Sequence, residues 1–66
     1  MKEYGQRIRS RRCMLKITQR NLAEIAGISV RSLKAIEKGE ANPRLSQFTK
    51  LLEPLGLRIA LEERIT

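Results

Sequence analysis

Histidine and tryptophan are absent from the 66-residue sequence, and cysteine occurs once, at Cys13. Without histidine or a second cysteine, the sequence has no recognisable spacing of zinc ligands and cannot form an intrachain disulfide. The seven acidic residues are scattered and make no recognisable acid/base pair or metal set. The four glycines show no phosphate-loop pattern. The sequence therefore argues against an enzyme, and we expect no catalytic residue, no metal and no cofactor.

Long apolar runs are also missing from the sequence. No segment approaches the roughly 20 apolar residues of a membrane span, and no signal peptide is recognisable. A chain with one cysteine suits the reducing cytoplasm, so we expect a cytoplasmic protein without membrane association. Cys13 could act as a redox sensor, but its neighbours Met14 and Leu15 favour an inert position in the core at a helix end.

Positive charge is what the sequence has in excess. Lys and Arg number 14 against 7 acidic residues, a formal net charge of +7. Seven of these cations lie within residues 1–20, where Glu3 alone opposes them. This indicates a polyanionic partner, most commonly a nucleic-acid backbone, because neutralised phosphates release counterions. A membrane surface is the competing partner. RNA is disfavoured because only Tyr4 and Phe48 could stack on bases.

Apolar spacing predicts four helices in one small domain. The first runs from about Glu3 to Leu15. The second begins after Thr18 and ends at Gly27, and the third begins after Ser29, because a hydroxyl caps a helix start and glycine permits a left-handed end. The predicted apolar positions of these helices are Tyr4, Ile8, Leu15, Leu22, Ala23, Ile25, Ala26, Val30, Leu33 and Ile36.

The third helix is predicted to end at Gly39, and Asn42-Pro43 marks a loop. A fourth helix begins near Leu45, and Pro54 should kink it or end it early, because proline lacks the backbone donor. Its predicted apolar positions are Phe48, Leu51, Leu52 and Leu55.

After Gly56 the apolar residues occupy every second position instead of following helical spacing. Leu57, Ile59 and Leu61 alternate with other residues, which is typical of a half-buried strand. Because the sequence shows no second strand, the predicted partner is the same strand of another copy. An irregular tail packed on the helices is the alternative. We therefore divide the chain into a domain over residues 1–56 and a dimerisation tail over residues 57–66.

The second and third helices have the spacing of a helix-turn-helix. Ala23 is small where the helices cross, Gly27 lies in the turn, and Leu33 and Ile36 anchor the third helix. Five short motifs resemble the pattern of the Cro and phage-repressor family, often called XRE, over roughly residues 5–56. They are Thr18-Gln19, Leu22-Ala23, Gly27-Ile28-Ser29, Ile36-Glu37-Lys38-Gly39 and Asn42-Pro43.

This resemblance implies an all-α, lambda-repressor-like domain of four helices that binds double-stranded DNA as a homodimer and represses transcription. The tail from Gly56 to Glu62 resembles the C-terminal strand of HipB-type antitoxins. That further likeness implies a shared two-stranded ribbon, autorepression and binding of a HipA-like kinase toxin. A protein-interaction module that neutralises such a toxin, with DNA binding secondary, is the alternative function.

The outward face of the third helix is predicted to read DNA bases. At about 100° per residue, Arg31 lies nearly opposite the core positions of this helix. Its planar guanidinium can bind both acceptors of a guanine edge, whereas Lys34 offers a point charge and Val30 or Ala35 could meet a thymine methyl. The predicted base contacts are Ser29, Val30, Arg31, Lys34 and Ala35.

Charge and the resemblance predict a second set of residues that contact the DNA backbone: Arg7, Arg11, Gln19, Lys38 and Arg44. The resemblance implies that the residue at the position of Gln19 contacts the DNA backbone or supports a recognition side chain. Glu37 would repel phosphate if it faced DNA. The family pattern instead implies a structural pair between Arg12 and Glu37, which removes Arg12 from the predicted DNA contacts.

Overall fold

The computed structural model describes residues 2–57. They form α1 (Lys2–Met14), α2 (Gln19–Ala26), α3 (Val30–Glu37) and α4 (Leu45–Leu52), followed by a 3₁₀ turn over Glu53–Leu55. The predicted all-α class with four helices is confirmed. The predicted strand lies outside the described residues except for Leu57. Among the described helices, none is long and apolar enough to cross a membrane.

The polar side chains predicted to start α2 and α3 do cap them. Thr18 Oγ1 accepts from the Asn21 amide at 3.1 Å, and Ser29 Oγ accepts from the Ser32 amide at 3.0 Å. Gly27 ends α2 with φ +71°, a left-handed conformation that costs glycine no Cβ clash. Local chemistry therefore sets the start of both helices and the end of α2, and it leaves only a short turn between them.

Pro54 ends the fourth helix early, as predicted. The α-helical hydrogen bonding stops at Leu52, and Pro54 lies inside the 3₁₀ turn that follows. Gly56 then reverses the chain with φ +70°, and the Leu57 amide donates to the Leu52 carbonyl at 3.0 Å. This turn brings Leu57 back against the core as a partly buried side chain.

One hydrophobic core lies between the four helices and the 3₁₀ turn. Its members are Ile8, Leu22, Ala23, Ala26, Leu33, Ile36, Leu51, Leu52 and Leu55. Ile8 is the one residue of α1 among them, and α1 packs on α3 and on the 3₁₀ turn. The core therefore fixes the inner side of α3 and leaves its outer side exposed.

Several positions predicted to be apolar core are exposed instead. Ile25 is 58% exposed, because the buried stripe of α2 follows Leu22, Ala23 and Ala26 and Ile25 falls beside it. Cys13 is exposed as well, which corrects the prediction of a core thiol. Cys13 lies about 140° round the helix from Ile8, so it turns to solvent despite its apolar neighbours.

The two ends of the predicted apolar face of α1 are also exposed. Tyr4 is half exposed and contacts Phe48 edge to face, with ring centroids 5.7 Å apart. Leu15 lies beyond the last residue of α1, so the helical phase no longer directs it to the core. The packed length of α1 is therefore shorter than its apolar spacing predicts.

Helices α1 and α3 approach each other closely at Gly5. A Cβ built on Gly5 would lie 2.8 Å from the Glu37 carbonyl oxygen and closer still to the Ile36 carbonyl oxygen. The sequence predicts a small residue at a helix crossing only at Ala23, which is buried. Gly5 thus sets the distance from α1 to the back of α3.

Candidate nucleic-acid interface

Helix α3 is anchored on one side and exposed on the other. Leu33, Ile36 and Glu37 are buried, whereas Arg31 and Lys34 are exposed. Ser29 is exposed as well, and Val30 and Ala35 are partly buried at the edges of the exposed side. We call the exposed side of α3, together with Ser29 and the partly buried Val30 and Ala35 at its edges, the ridge of α3.

A groove between α1 and α3 runs along one flank of this ridge. We call it the α1–α3 groove. Lys34 lines it from α3, Lys38 from the C-cap of α3, Gln19 from the start of α2, and Arg9 from α1. Its remaining lining residues are Gln6, Arg12, Thr18, Glu37 and Glu40. Two of the predicted backbone contacts, Gln19 and Lys38, therefore line the same groove as Lys34.

A second groove, the α3–α4 groove, follows the opposite flank. Arg31 and Ala35 line it together with Asn42, Pro43 and Gln47, and its other members are Ser32, Ile36 and Ala41. Arg31 is the only charged residue among these described lining residues. The two flanks of α3 therefore differ in chemistry, since cations gather on the α1 side and neutral polar groups surround Arg31.

The other predicted backbone contacts are not brought beside α3. Arg7 and Arg11 line a separate depression with Met14 and Leu57, among others. Arg11 also donates from Nε to the Leu55 carbonyl at 2.8 Å, so its guanidinium holds the 3₁₀ turn against α1. Arg44 is exposed at the N-cap of α4, after the loop that follows α3.

Under α3, a buried carboxylate ties three segments together. Glu37 is 5% exposed and accepts from Arg12 Nε at 2.8 Å and Arg12 Nη2 at 3.1 Å. Gln19 Nε2 donates to the same carboxylate at 3.1 Å, and Arg12 Nη1 donates to the Ile17 carbonyl at 3.0 Å. The expected pair of Arg12 and Glu37 is therefore present, and it also holds the start of α2.

The electrostatics of this network favour a permanently charged guanidinium. The side-chain hydrogen bond from Arg12 to Glu37 raises the pKa of Arg12 above its ordinary value, with a further Coulombic contribution from the carboxylate, although burial opposes the rise. A bidentate pair of this kind fixes direction as well as distance. The network therefore orients the C-terminal half of α3 relative to α1 and to Gln19.

Sequence reasoning did not select Arg9, Asn42 or Gln47 as site residues. For Arg9 a signal was available, because Arg9 precedes Arg12 by three residues and so lies on nearly the same side of α1. Because Arg12 pairs with Glu37 of α3, Arg9 lies on the flank of α1 that borders the α1–α3 groove. Asn42 and Gln47 had no comparable signal, since their placement depends on how the loop before α4 folds.

Comparison with known proteins gives two findings. The family model HTH_3, described as helix-turn-helix, matches residues 8–61 of the chain. An uncharacterized HTH-type transcriptional regulator from Haemophilus influenzae (strain ATCC 51907 / DSM 11121 / KW20 / Rd) is 38% identical over 50 residues, which is 76% of this chain and 51% of that relative. The chain thus spans about half the length of this relative.

Proposed function

The chain belongs to the XRE-type helix-turn-helix family, and from that premise we propose that it is a sequence-specific repressor that acts in the cytoplasm as a dimer on double-stranded DNA. Membership of this family supports the general function of a DNA-binding transcriptional regulator. The observation that carries the proposal is the exposed ridge of α3 with a groove on each flank. A major groove about 12 Å wide admits such a helix and places a phosphate backbone on either side of it.

Within this proposal, the ridge residues divide by the chemistry they offer. Arg31 reads a guanine through its planar fork, and Val30 and Ala35 meet thymine methyl groups. Lys34 and Ser29 contact bases or the phosphates next to them. Gln19, Lys38 and Arg44 are proposed backbone contacts that position α3 in the groove, and Arg7 and Arg11 stay predicted backbone contacts from α1.

Arg31→Ala tests direct readout. We expect a loss of about 1–3 kcal/mol on the cognate operator and relaxed preference at one base pair, because a bidentate contact to a guanine edge is removed. The operator is first selected from a random duplex library with the wild-type protein. Affinities are then measured for duplexes that vary each position of the selected site.

The matched control for this test is Arg20→Ala, since Arg20 is an exposed arginine on α2 outside the ridge and both grooves. It removes the same charge without removing a proposed base contact. Arg31→Ala with an unchanged base preference would refute direct readout by Arg31, even if its overall affinity fell.

The dimer is proposed from function and from the tail. One recognition helix reads few base pairs, whereas a two-fold dimer sets two such helices one DNA turn apart, about 34 Å. Leu57, Ile59 and Leu61 have the spacing of a strand that could pair with its copy, because alternate residues share one face. The strand pair would then fix the separation of the half-sites.

Ile59→Pro tests the strand pair, because proline cannot donate to a ladder and the substitution removes an apolar contact. We expect a monomer that keeps its helical circular dichroism and binds the operator more weakly than the wild type. Sedimentation velocity measures the oligomeric state. A dimer of unchanged operator affinity would mean that the subunits associate through other surfaces.

A HipA-like kinase toxin is the further proposed partner, and it depends on the likeness of residues 56–62 to HipB-type tails. The identity of the neighbouring gene and copurification with its product test this partner. A regulator that binds its operator but no such product would remain a repressor without an antitoxin role.

A further inference from the structure

Arg9 lies on α1 but shares the α1–α3 groove with Lys34 and Lys38 of the α3 segment. All three side chains are exposed. Two carboxylates also line this groove, and that of Glu37 is already neutralised by its ion pair. Outside that pair, three cations face the single carboxylate of Glu40. Such a concentration of charge in a concave surface suits an anion with several oxygens.

We propose that the α1–α3 groove holds one phosphate of the DNA backbone and that Arg9 is its ligand from α1. This proposal rests on the proposed function, because it requires α3 to enter the major groove. A helix in that groove has a phosphate backbone on each side. Lys34 and Lys38 lie on the flank that faces α1, so the backbone on that flank passes the groove that Arg9 lines.

The position of Arg9 round α1 separates it from the other cations of that helix. Ile8 and Arg12 face the core and α3, and Arg9 lies on the flank that opens into the α1–α3 groove. Arg7 and Arg11 instead line the depression beside Leu57. Overall charge alone cannot distinguish these arginines. Arg9 is the proposed phosphate contact because it lines the same groove as Lys34 and Lys38.

Arg9→Ala is the variant that tests the proposal. Binding is followed by fluorescence anisotropy with a labelled mixed-sequence duplex of about two helical turns, over a range of salt concentrations. Loss of one phosphate contact should lower the slope of log affinity against log salt by about 0.9. When the wild type and the variant bind equally at 1 M salt, that change in slope makes the affinity of the variant at 0.1 M salt roughly eightfold lower.

Lys50→Ala is the matched control, because Lys50 is exposed on α4 and lines none of the three surfaces described above. It removes the same unit of charge, so a general field effect lowers binding in both variants alike. Arg9→Lys keeps the charge and should retain most of the slope. Thermal unfolding of each variant, followed by circular dichroism, shows whether a loss of binding reflects a loss of fold.

The outcomes separate this proposal from the function on which it depends. A slope lowered for Arg9→Ala and little changed for Lys50→Ala supports the groove. Equal slopes for these two variants, or a lowered slope for Arg7→Ala with an unchanged slope for Arg9→Ala, would overturn the groove and leave DNA binding intact. A wild-type protein without salt-dependent duplex binding would overturn the proposed function itself. If Arg9→Ala unfolds, Arg9→Gln takes its place and must meet the same criterion.

Discussion

Glu37→Ala should lower the free energy of unfolding by about 3–5 kcal/mol, because it leaves the mostly buried guanidinium of Arg12, at the wall of the α1–α3 groove, without its carboxylate. The side chains of Arg12 and Glu37 are only 11% and 3% exposed, so water cannot replace the lost oxygens fully. A domain of this size has a total stability of about 3–10 kcal/mol by the usual range per residue. The expected loss is therefore at least about a third of the total stability, and urea denaturation at neutral pH measures it as a lower midpoint.

The control replaces both members of the Arg12–Glu37 pair, because removing one partner leaves an unpaired charge and removing both does not. Arg12→Met combined with Glu37→Leu removes both charges and keeps apolar volume, and such replacements are often close to neutral. The double variant should therefore be more stable than Glu37→Ala. If Glu37→Ala alone stays within about 1 kcal/mol of the wild type, the network contributes little to stability.

The network also carries a prediction for binding that the double variant isolates. Gln19 loses its acceptor when Glu37 is replaced, and α3 loses the bidentate pair that fixes its direction. If the double variant is folded but binds DNA less tightly than the wild type, the network orients α3 for binding in addition to stabilising the fold. A folded double variant with wild-type affinity would show that apolar packing alone orients the helix.

Features determined by neighbouring residues were predictable from the sequence. The caps at Thr18 and Ser29, the left-handed end at Gly27 and the early end at Pro54 each depend on a few adjacent atoms. The resemblance supplied the pair of Arg12 and Glu37, which lie 25 residues apart. Residue chemistry alone would not have selected this pair from the other arginines and glutamates.

Features determined by how α1 docks on α3 were not predicted. Charge predicts phosphate contacts at Arg7 and Arg11, and these stay predictions, although the structure places both residues on a depression apart from the α1–α3 groove. Composition does not report which side of a helix faces its neighbour. Helical spacing predicts Ile25 in the core and apolar neighbours predict Cys13 there, although the buried stripe passes beside both residues. A regular spacing thus predicts that a helix is amphipathic, whereas its contacts depend on the tertiary packing that selects one side.

Gly5→Ala should destabilise the domain by about 1–3 kcal/mol, although helix propensity alone predicts the opposite sign. Alanine is favoured over glycine inside a helix by roughly 0.5–1 kcal/mol. At Gly5, however, the added methyl meets the carbonyl oxygens of Ile36 and Glu37. These are backbone atoms of α3, so no side chain can rotate away, and overpacking of this kind costs typically 1–3 kcal/mol or more.

Gly27→Ala is the control, because the same methyl group there meets no atom within 4 Å. Its cost comes only from the left-handed backbone at φ +71°, roughly 1–2 kcal/mol. Gly27→Asn should recover part of that loss, since asparagine tolerates this conformation better than alanine, whereas Gly5→Asn should be worse than Gly5→Ala. Urea denaturation of the four variants gives the comparison. A Gly5→Ala protein more stable than the wild type would mean that α1 does not approach α3 this closely, and the placement of Arg9 beside Lys34 would lose its geometric basis.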